Sequence, residues 1–576
     1  MIKPEWGVWF ILVALLPLLL KIFLGEASSR RIIALDWLVL VFLITAWVGY
    51  WAAYDKAIAW SKVWFIMTGV LLYCSLSMQP RENLVWVSVF LFCIGVGVSL
   101  YYFLTHDFVA IPRKIEFVNS IGRSIMNVRP QTGWTPIHPN YVAGMIAVTT
   151  PFILYPVMKF KKNNKSGDSL FYVLIILGLV LAVIALLMAT SRGVIFAIVA
   201  GVGTWFLWRF VNSDGIKRQF KSEAVFPVAL LIYLIVIVVF LYVGPARSAE
   251  TVSSNYYFGS DSRAELFGRS LYLFSSFLIT GGGLGSFPGL YSRYLLDIPF
   301  FNVPNSHNLF LDVGIEQGVF GGISFILLYL VSLWTVSVSL VRGKRSVTFH
   351  WIVLFSLTVA IVHGMVDDYL YNGVGSMFAL LLVGLSMNEE RNSLPAEKKL
   401  DIRTFVTIIA IWLFVALFNF NQIRATWYAN LGAVQLAKVE LAGFPNAGWI
   451  GDKISSQLDV ADASLHSALR FDSTNRTANQ HLGVILMLRQ DFQPATTLLE
   501  KARMQAPKHR GILKSLGYCY VWLGDMEKAQ KYLSQISEAK DELDAYTQWW
   551  KAQGRDDLSE NAFTALSLLK TATSQP

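Results

Sequence analysis

Long apolar runs broken by short polar connections fill the chain as far as about residue 421, where the pattern changes. A helix crosses the hydrocarbon core with about 20 largely apolar residues. Windows of that kind fall at 6–24, 33–53, 57–77, 83–104, 138–158, 169–189, 193–211, 224–243, 310–341, 349–367, 371–387 and 402–421, about twelve expected spans. After Gln422 the apolar positions recur at helix-pair spacing instead. Arg476 to His509 fits the 34-residue tetratricopeptide template, with Leu482-Gly483, Leu486, Ala495, Leu499, Ala502 and Pro507 at the packing positions. Leu516-Gly517, Tyr520, Ala529 and Leu533 repeat the offsets, and Ala461, Leu465 and Ala468 mark an earlier half-unit. The expected fold is all-α: a polytopic membrane helix bundle over 1–421 and a soluble helical-repeat domain over 422–576. Such stacks bind a protein or peptide in their concave face; the plainer alternative is a cap on the membrane domain.

Composition agrees with the hydropathy. Of 576 residues, 55% are hydrophobic and only 15% charged, against about 25% charged in soluble domains. Cys74, Cys93 and Cys519 are isolated, which argues against a disulfide framework or a cysteine zinc site. The tail from Gln422 carries 17 Lys+Arg and 16 Asp+Glu, a net of +1, so +9 of the total +10 lies in the membrane part. That excess fits topology-setting loops, anionic lipid or a phosphorylated substrate.

Basic clusters fall on alternate connections: Arg30-Arg31; Lys159, Lys161, Lys162 and Lys165; Lys217, Arg218 and Lys221; Arg342, Lys344 and Arg345; Lys398, Lys399 and Arg403. The positive-inside tendency places them in the cytoplasm. The loops at 105–137 and 244–309, the hairpin at Thr190–Arg192, the tail and the N-terminus are then expected outside. The first apolar segment lacks a small-residue cleavage site, so it reads as a span rather than a removed signal. Outward loops between Asp55 and Asn305 hold eight arginines (113, 123, 129, 192, 247, 263, 269, 293) against two lysines, Lys56 and Lys114. Guanidinium forks grip phosphate oxygens bidentately where ammonium groups act as point charges; chance in small numbers is the alternative.

Candidate chemistry collects at the outward ends of these spans. In "PNSHNLFLDVGIEQGVFGG", Pro304 to Gly322, Ser306 reads as a helix N-cap and His307 as a first-turn residue. The helix dipole there disfavours imidazolium, and a neutral imidazole serves as a general base. A polar interfacial cap without chemistry is the alternative. Arg192, in "TSRG", separates two apolar runs, and a cation so placed is a functional hypothesis by default. Arg263, in "DSRAELFGR", opens an amphipathic segment followed by "GGGLGSFPG", whose glycines permit close backbone approach. His138 in "HPNYVAG", and His363, Asp367 and Asp368 in "HGMVDDYLY", lie at neighbouring ends. Glu316 lies nine residues beyond His307 and is expected to pair with a buried arginine. The glycine run lacks the Lys-Ser/Thr of a phosphate loop, which argues against nucleotide binding. The adjacent pair Asp367-Asp368 is a weak metal signal. The spans show no internal repeat of the kind transporters carry.

Together the span layout, "TSRG" at an outer hairpin, the Arg-led segment ending "GGGLGSF" and "SHNLFLDVGIEQGVFGG" resemble the O-antigen ligase and polymerase superfamily over roughly Trp37 to Ser386. The resemblance implies a bacterial inner-membrane glycosyltransferase. It would act on the outer face of that membrane, using an undecaprenyl-diphosphate-linked glycan donor without a nucleotide cofactor or an obligatory metal. Carried over by motif, Arg192 and Arg263 would hold the diphosphate and His307 would activate or orient the acceptor hydroxyl, with Arg269, His138, Asn308 and Glu316 as further substrate-binding residues. The implied acceptor is a lipid A-core sugar, another glycan repeat or a protein side chain, the ligase reading fitting the long outer loop best. A one-step displacement would invert the anomeric centre. The tail, expected in the periplasm, would meet a protein acceptor or partner. A lipid-linked glycan transporter and a non-catalytic membrane scaffold are the readings from other classes; no feature points to nucleic acid.

Overall fold

The computed structural model describes residues 34–160, 169–213, 223–243, 263–295, 303–343, 347–387, 417–445 and 456–572. Regular secondary structure among them is helical. Nine helices among the described residues are long and apolar enough to cross a membrane. They are α1 (Ala34–Ala52), α2 (Lys56–Leu76), α3 (Leu84–Thr105), α5 (Pro139–Phe160), α6 (Ser169–Ala189), α7 (Arg192–Val211), α8 (Val225–Val243), α11 (Leu309–Val341) and α12 (Val347–Gly364). Between them lie the surface helix α4 (Glu116–Val128) and the pair α9 (Arg263–Ser276) and α10 (Phe287–Leu295).

Ten of the expected windows fall on described residues, and nine are spans. The exception is 371–387, where a 3-10 turn over Gly373–Phe378 precedes the six-residue α13 (Leu381–Ser386). Gly373 is left-handed and Gly375 sits where a Cβ would come 1.9 Å from the Tyr369 carbonyl, so the chain folds back on itself before it can run as one helix. The windows 6–24 and, except for its last residues, 402–421 lie outside the described residues.

Burial sorts the spans. In α12, 78% of the most apolar window is buried, against 22% in α6. A helix apolar all round and buried belongs at the centre of the bundle, whereas α6 turns Leu177, Val183 and Leu187 outward, as a lipid-facing helix does. The 33-residue α11 is broken at Gly318 (φ 75°, ψ −176°). There the glycine run packs against it: Gly282 N–H donates to the Ile315 carbonyl at 2.7 Å and Val319 N–H to the Leu278 carbonyl at 2.8 Å. A Cβ on Gly281 would lie 2.3 Å from the Glu316 carbonyl, so these glycines serve backbone approach.

The tail forms antiparallel helix pairs: α14 (Phe420–Glu440) with α15 (Asp459–Phe471), α16 (Arg476–Leu488) with α17 (Phe492–Gln505), α18 (Arg510–Trp522) with α19 (Met526–Leu533), and α20 (Ala539–Ala552) with α21 (Asp556–Ala572). Of the foreseen packing residues, Ala461, Leu465, Ala468, Leu482, Ala495, Leu499, Ala502, Leu516, Ala529 and Leu533 are buried, whereas Leu486 is half-buried and Pro507 exposed. The fourth pair was not legible in the repeat pattern. This stack docks on α9, α10 and the start of the bundle. Arg476 donates to the hydroxyls of Ser275 (2.9 Å) and Ser276 (3.1 Å), and His509 lies between the rings of Tyr272 and Tyr294. Lys438 Nζ donates to the Trp51 carbonyl at 2.8 Å, and the Asn430 amide binds the backbone of Ile279 and Thr280.

Candidate functional site

The ends of α3, α6 and α12 and the starts of α5, α7, α9 and α11 meet at the end of the bundle on which the repeats dock. The segment before α11 differs from its sequence reading. Asn308, not Ser306, caps the helix, its side chain accepting from Phe310 N–H (3.1 Å) and Leu311 N–H (3.0 Å). His307 therefore precedes the helix, in a left-handed conformation (φ 54°) that costs a non-glycine residue strain. Neighbours hold it there: His307 N–H donates to Asn305 Oδ1 at 3.0 Å, and Ser306 N–H to Asp312 Oδ1 at 3.0 Å. Asn308 Nδ2 also reaches the Met365 carbonyl beyond α12.

His307 is 9% exposed, and among the described residues neither Nδ1 nor Nε2 of its ring has a hydrogen-bond partner. Polar groups so buried are normally satisfied. Burial first, then the charges of Arg263 and the nearby His138, push its pKa down to about 3. The imidazole is neutral, as expected, but through desolvation and cations rather than through a helix dipole.

His138 caps α5, its Nδ1 accepting from Asn140 N–H at 3.3 Å. Burial, Arg113 and Arg263 push it down to about 4. Arg192 starts α7 after Thr190, another left-handed residue, and its charge acts on Arg263. Arg263 donates to the Val366 carbonyl at 2.7 Å. Among the described residues neither Arg192 nor Arg263 has a carboxylate within ion-pair distance; Asp367 acts on Arg263 only from further off.

The other outward arginines are committed elsewhere. Arg113 donates to Thr190 Oγ1 (3.2 Å) and the Ala189 carbonyl (2.5 Å), and Arg129 to the Phe103 and His106 carbonyls. Arg123 pairs with Glu116, Arg269 with Glu265 and Arg293 with Glu440; Arg247 lies outside the described residues. Arg269 thus sits apart from Arg192 and Arg263, already neutralised. Glu316 is likewise turned away from His307, and the expected arginine partner is in fact a lysine: Lys62 Nζ lies 2.6 Å from Glu316 Oε2 and over the Tyr371 ring. Nothing in the sequence spacing tied α2 to α11.

A polar network supports His307 from below. Tyr141 O–H donates to Asp368 Oδ1 at 2.6 Å and accepts from Asn305 Nδ2 (2.8 Å) and Asn372 Nδ2 (2.9 Å), while Asn140 Nδ2 donates to Asp367 Oδ2 at 2.9 Å. Burial raises the pKa of both carboxyls, and Asp367 raises that of Asp368 further. His363 is buried against Gly144 and the Tyr369 ring. Tyr141 and the buried His106, which burial and Arg113 push down to about 4, were not singled out from the sequence. A tyrosine three residues after a His-Pro pair was the one available signal. The assembled site is a pair of neutral imidazoles beside two guanidinium groups without acidic partners among the described residues, suited to an anion and a hydroxyl.

Residues 177–326 match the O-antigen ligase family, and residues 486–555 match a tetratricopeptide repeat. No curated protein and no solved structure matches the chain. The first match lies within the stretch where the resemblance was read and includes Arg192, Arg263, Arg269, His307, Asn308 and Glu316; His138 precedes it and Asp367 follows it. The chain is a multi-pass membrane protein with an O-antigen ligase family membrane region and a C-terminal tetratricopeptide-repeat region.

Proposed function

We propose that the protein transfers a glycan from an undecaprenyl-diphosphate-linked donor to an acceptor hydroxyl at the outer face of the bacterial inner membrane, as an O-antigen ligase does. The observation that carries this reading is the buried, unpartnered His307 imidazole beside Arg263, with Arg192 close by and neither arginine ion-paired among the described residues. The acceptor oxygen attacks the anomeric carbon, the carbon–oxygen bond to the diphosphate breaks, and the leaving diphosphate keeps the electron pair. Arg192 and Arg263 balance its charge in a site shielded from water. His307 takes the hydroxyl proton, and attack opposite the leaving group inverts the anomeric centre. No residue step calls on a metal.

An imidazole with a pKa of about 3 is a weak base at neutral pH. A bound diphosphate acts against the second of these causes, because its negative charge offsets the Arg263 charge that adds to burial in depressing His307. Donor binding thus prepares the base for the acceptor, which favours a donor-first order. The docking of the repeats at the site's end of the bundle supports a further reading, in which the acceptor is a protein side chain that they present. Lys159 and Arg342 lie at the opposite ends of their spans, in keeping with an extracytoplasmic site.

The test is reconstitution of the full chain with a lipid-diphosphate-linked oligosaccharide and three acceptors, weighing the products. One glycan block on a lipid-anchored core means ligase, a ladder of repeats means polymerase, and a heavier protein means protein glycosylation. Movement of labelled donor across the bilayer with no transfer to any acceptor overturns the reading in favour of a transporter.

A further inference from the structure

The surface helix α4 has an unusual distribution of polarity. Its protein-facing sector is Val118, Asn119 and Gly122, the glycine set so closely against Phe108 that a Cβ would lie 2.2 Å from that ring. A second sector, Glu116, Ser120, Arg123 and Asn127, is polar and exposed. The third is apolar yet exposed: Phe117 at 73%, Ile121 at 37% and Val128 at 83%. Their spacing of four and seven residues puts them on one strip of the helix. A helix that buries an asparagine and a glycine while turning a phenylalanine and a valine outward is built for an apolar surrounding on that side.

The surroundings identify that apolar phase. The helix joins the end of α3 to the start of α5, so it lies at the depth where two spans end. Beside it the Trp134 ring stacks on Tyr101 of α3 (5.6 Å between centroids), and Tyr101 O–H donates to the Thr135 carbonyl. Aromatic side chains with a polar edge concentrate at this boundary. Val118 shares an apolar cluster with Ala182, Ala185 and Met188 of α6, the helix that turns Leu187 outward. The exposed strip of α4 therefore continues a lipid-facing surface.

The helix also reaches the site. Asn119 brackets the backbone of Arg113, accepting from its N–H at 2.6 Å and donating to its carbonyl at 2.9 Å. The Arg113 guanidinium in turn binds Thr190 and Ala189, immediately before Arg192.

We propose that α4 is a membrane-surface helix whose Phe117–Ile121–Val128 edge lies in lipid, and that through Asn119 and Arg113 it holds the Arg192 hairpin at the depth of the lipid headgroups. The first half stands independently of the proposed transfer. The second rests on Arg192 meeting a lipid-linked diphosphate.

The experiment uses the full chain in phospholipid nanodiscs, with Cys74, Cys93 and Cys519 replaced by serine and a nitroxide attached at Phe117→Cys or Ser120→Cys. The expected result is oxygen-dominated relaxation at 117 and nickel-chelate-dominated relaxation at 120. Nickel-chelate access at 117 overturns the lipid assignment, as does dipolar broadening at 117 from a second copy. For the second half, the double variant Phe117→Ser/Ile121→Ser is assayed for transfer. A rise of roughly tenfold in KM for the lipid-linked donor with kcat within about twofold supports it. A fall in kcat alone, or no change, overturns the second half and leaves the spin-label result standing. Absence of transfer by the parent protein would instead count against the proposed function.

Discussion

The repeat region and the membrane site treat their cations in opposite ways. In the repeat region, buried charge is matched: Arg510 pairs with Glu538, Lys514 lies 3.5 Å from Glu542, and Arg489 holds both Asp459 and Asp462. At the membrane site, Arg263 and the exposed Arg192 have no such partners among the described residues, and the charge of Arg263 falls on the buried His307 and on His138. Unmatched charge beside buried imidazoles destabilises the unliganded fold, so its persistence points to a ligand that supplies the missing anion. Arg476 is an exception in the tail, with hydroxyl and amide partners but no acid among the described residues, and it helps to dock the stack on α9.

The comparison can be broken most severely at His307. His307→Ala should lower kcat for glycan transfer by about 10²–10⁴-fold, the usual contribution of a positioned general base, with little loss of folded protein in a thermal scan. A variant that keeps more than a tenth of the parent rate would remove the site from the proposal.

Next come the arginines, where the two regions should respond differently. Arg510→Ala removes the nearer cation of the buried Glu538, leaving Lys514 at 3.9 Å, and should cost about 2 kcal/mol of stability, read as a lower Tm. Arg263→Ala should cost less than about 1 kcal/mol, since it removes a like-charge neighbour of Arg192. Its effect should appear in transfer instead. Equal losses of stability in the two variants would mean that the site arginines are structural.

Tyr141→Phe sharpens the same contrast on a smaller scale. It removes the hydroxyl that fixes Asn305 and hence the His307 backbone, so kcat should fall roughly tenfold with KM for donor unchanged. A matching rise in KM would place Tyr141 in substrate binding.

The smallest effect is on pH. His307 and His138 are held below the ordinary histidine value near 6.5, at about 3 and about 4. The unfolded chain therefore takes up these protons first, and stability should decline as pH falls from about 6.5 toward those values. Arg263→Gln removes a charge that lowers both, so in the unliganded protein their folded values rise toward 6.5 and the loss of stability on acidification should shrink. Unfolding midpoints measured from pH 4 to 7 decide this.

Much of this protein was legible along the chain, because the signals were periodic and local. Hydropathy located the spans, since a bilayer imposes one length on every crossing helix. The 34-residue offsets gave the helix pairs, since each unit repeats the same small and large packing positions. Arg192, His138 and His307 each stood out as a polar residue at the end of an apolar run, and Arg263 as the opening of an amphipathic one.

What the sequence could not decide depended on partners far apart in the chain. Which outward arginines remain unneutralised was settled by contacts such as Arg293 with Glu440, 147 residues away. The partner of Glu316 was settled by the packing of α2 on α11, and the conformation of His307 by Tyr141 reaching Asn305 across 164 residues. Even the helix start moved from Ser306 to Asn308, because Asp312 had already claimed the Ser306 backbone. Residue type and spacing determine where a chemical group can lie along its own element. Only the assembled bundle determines what else lies within a few ångströms, and therefore whether that group is neutralised, strained or left for a substrate.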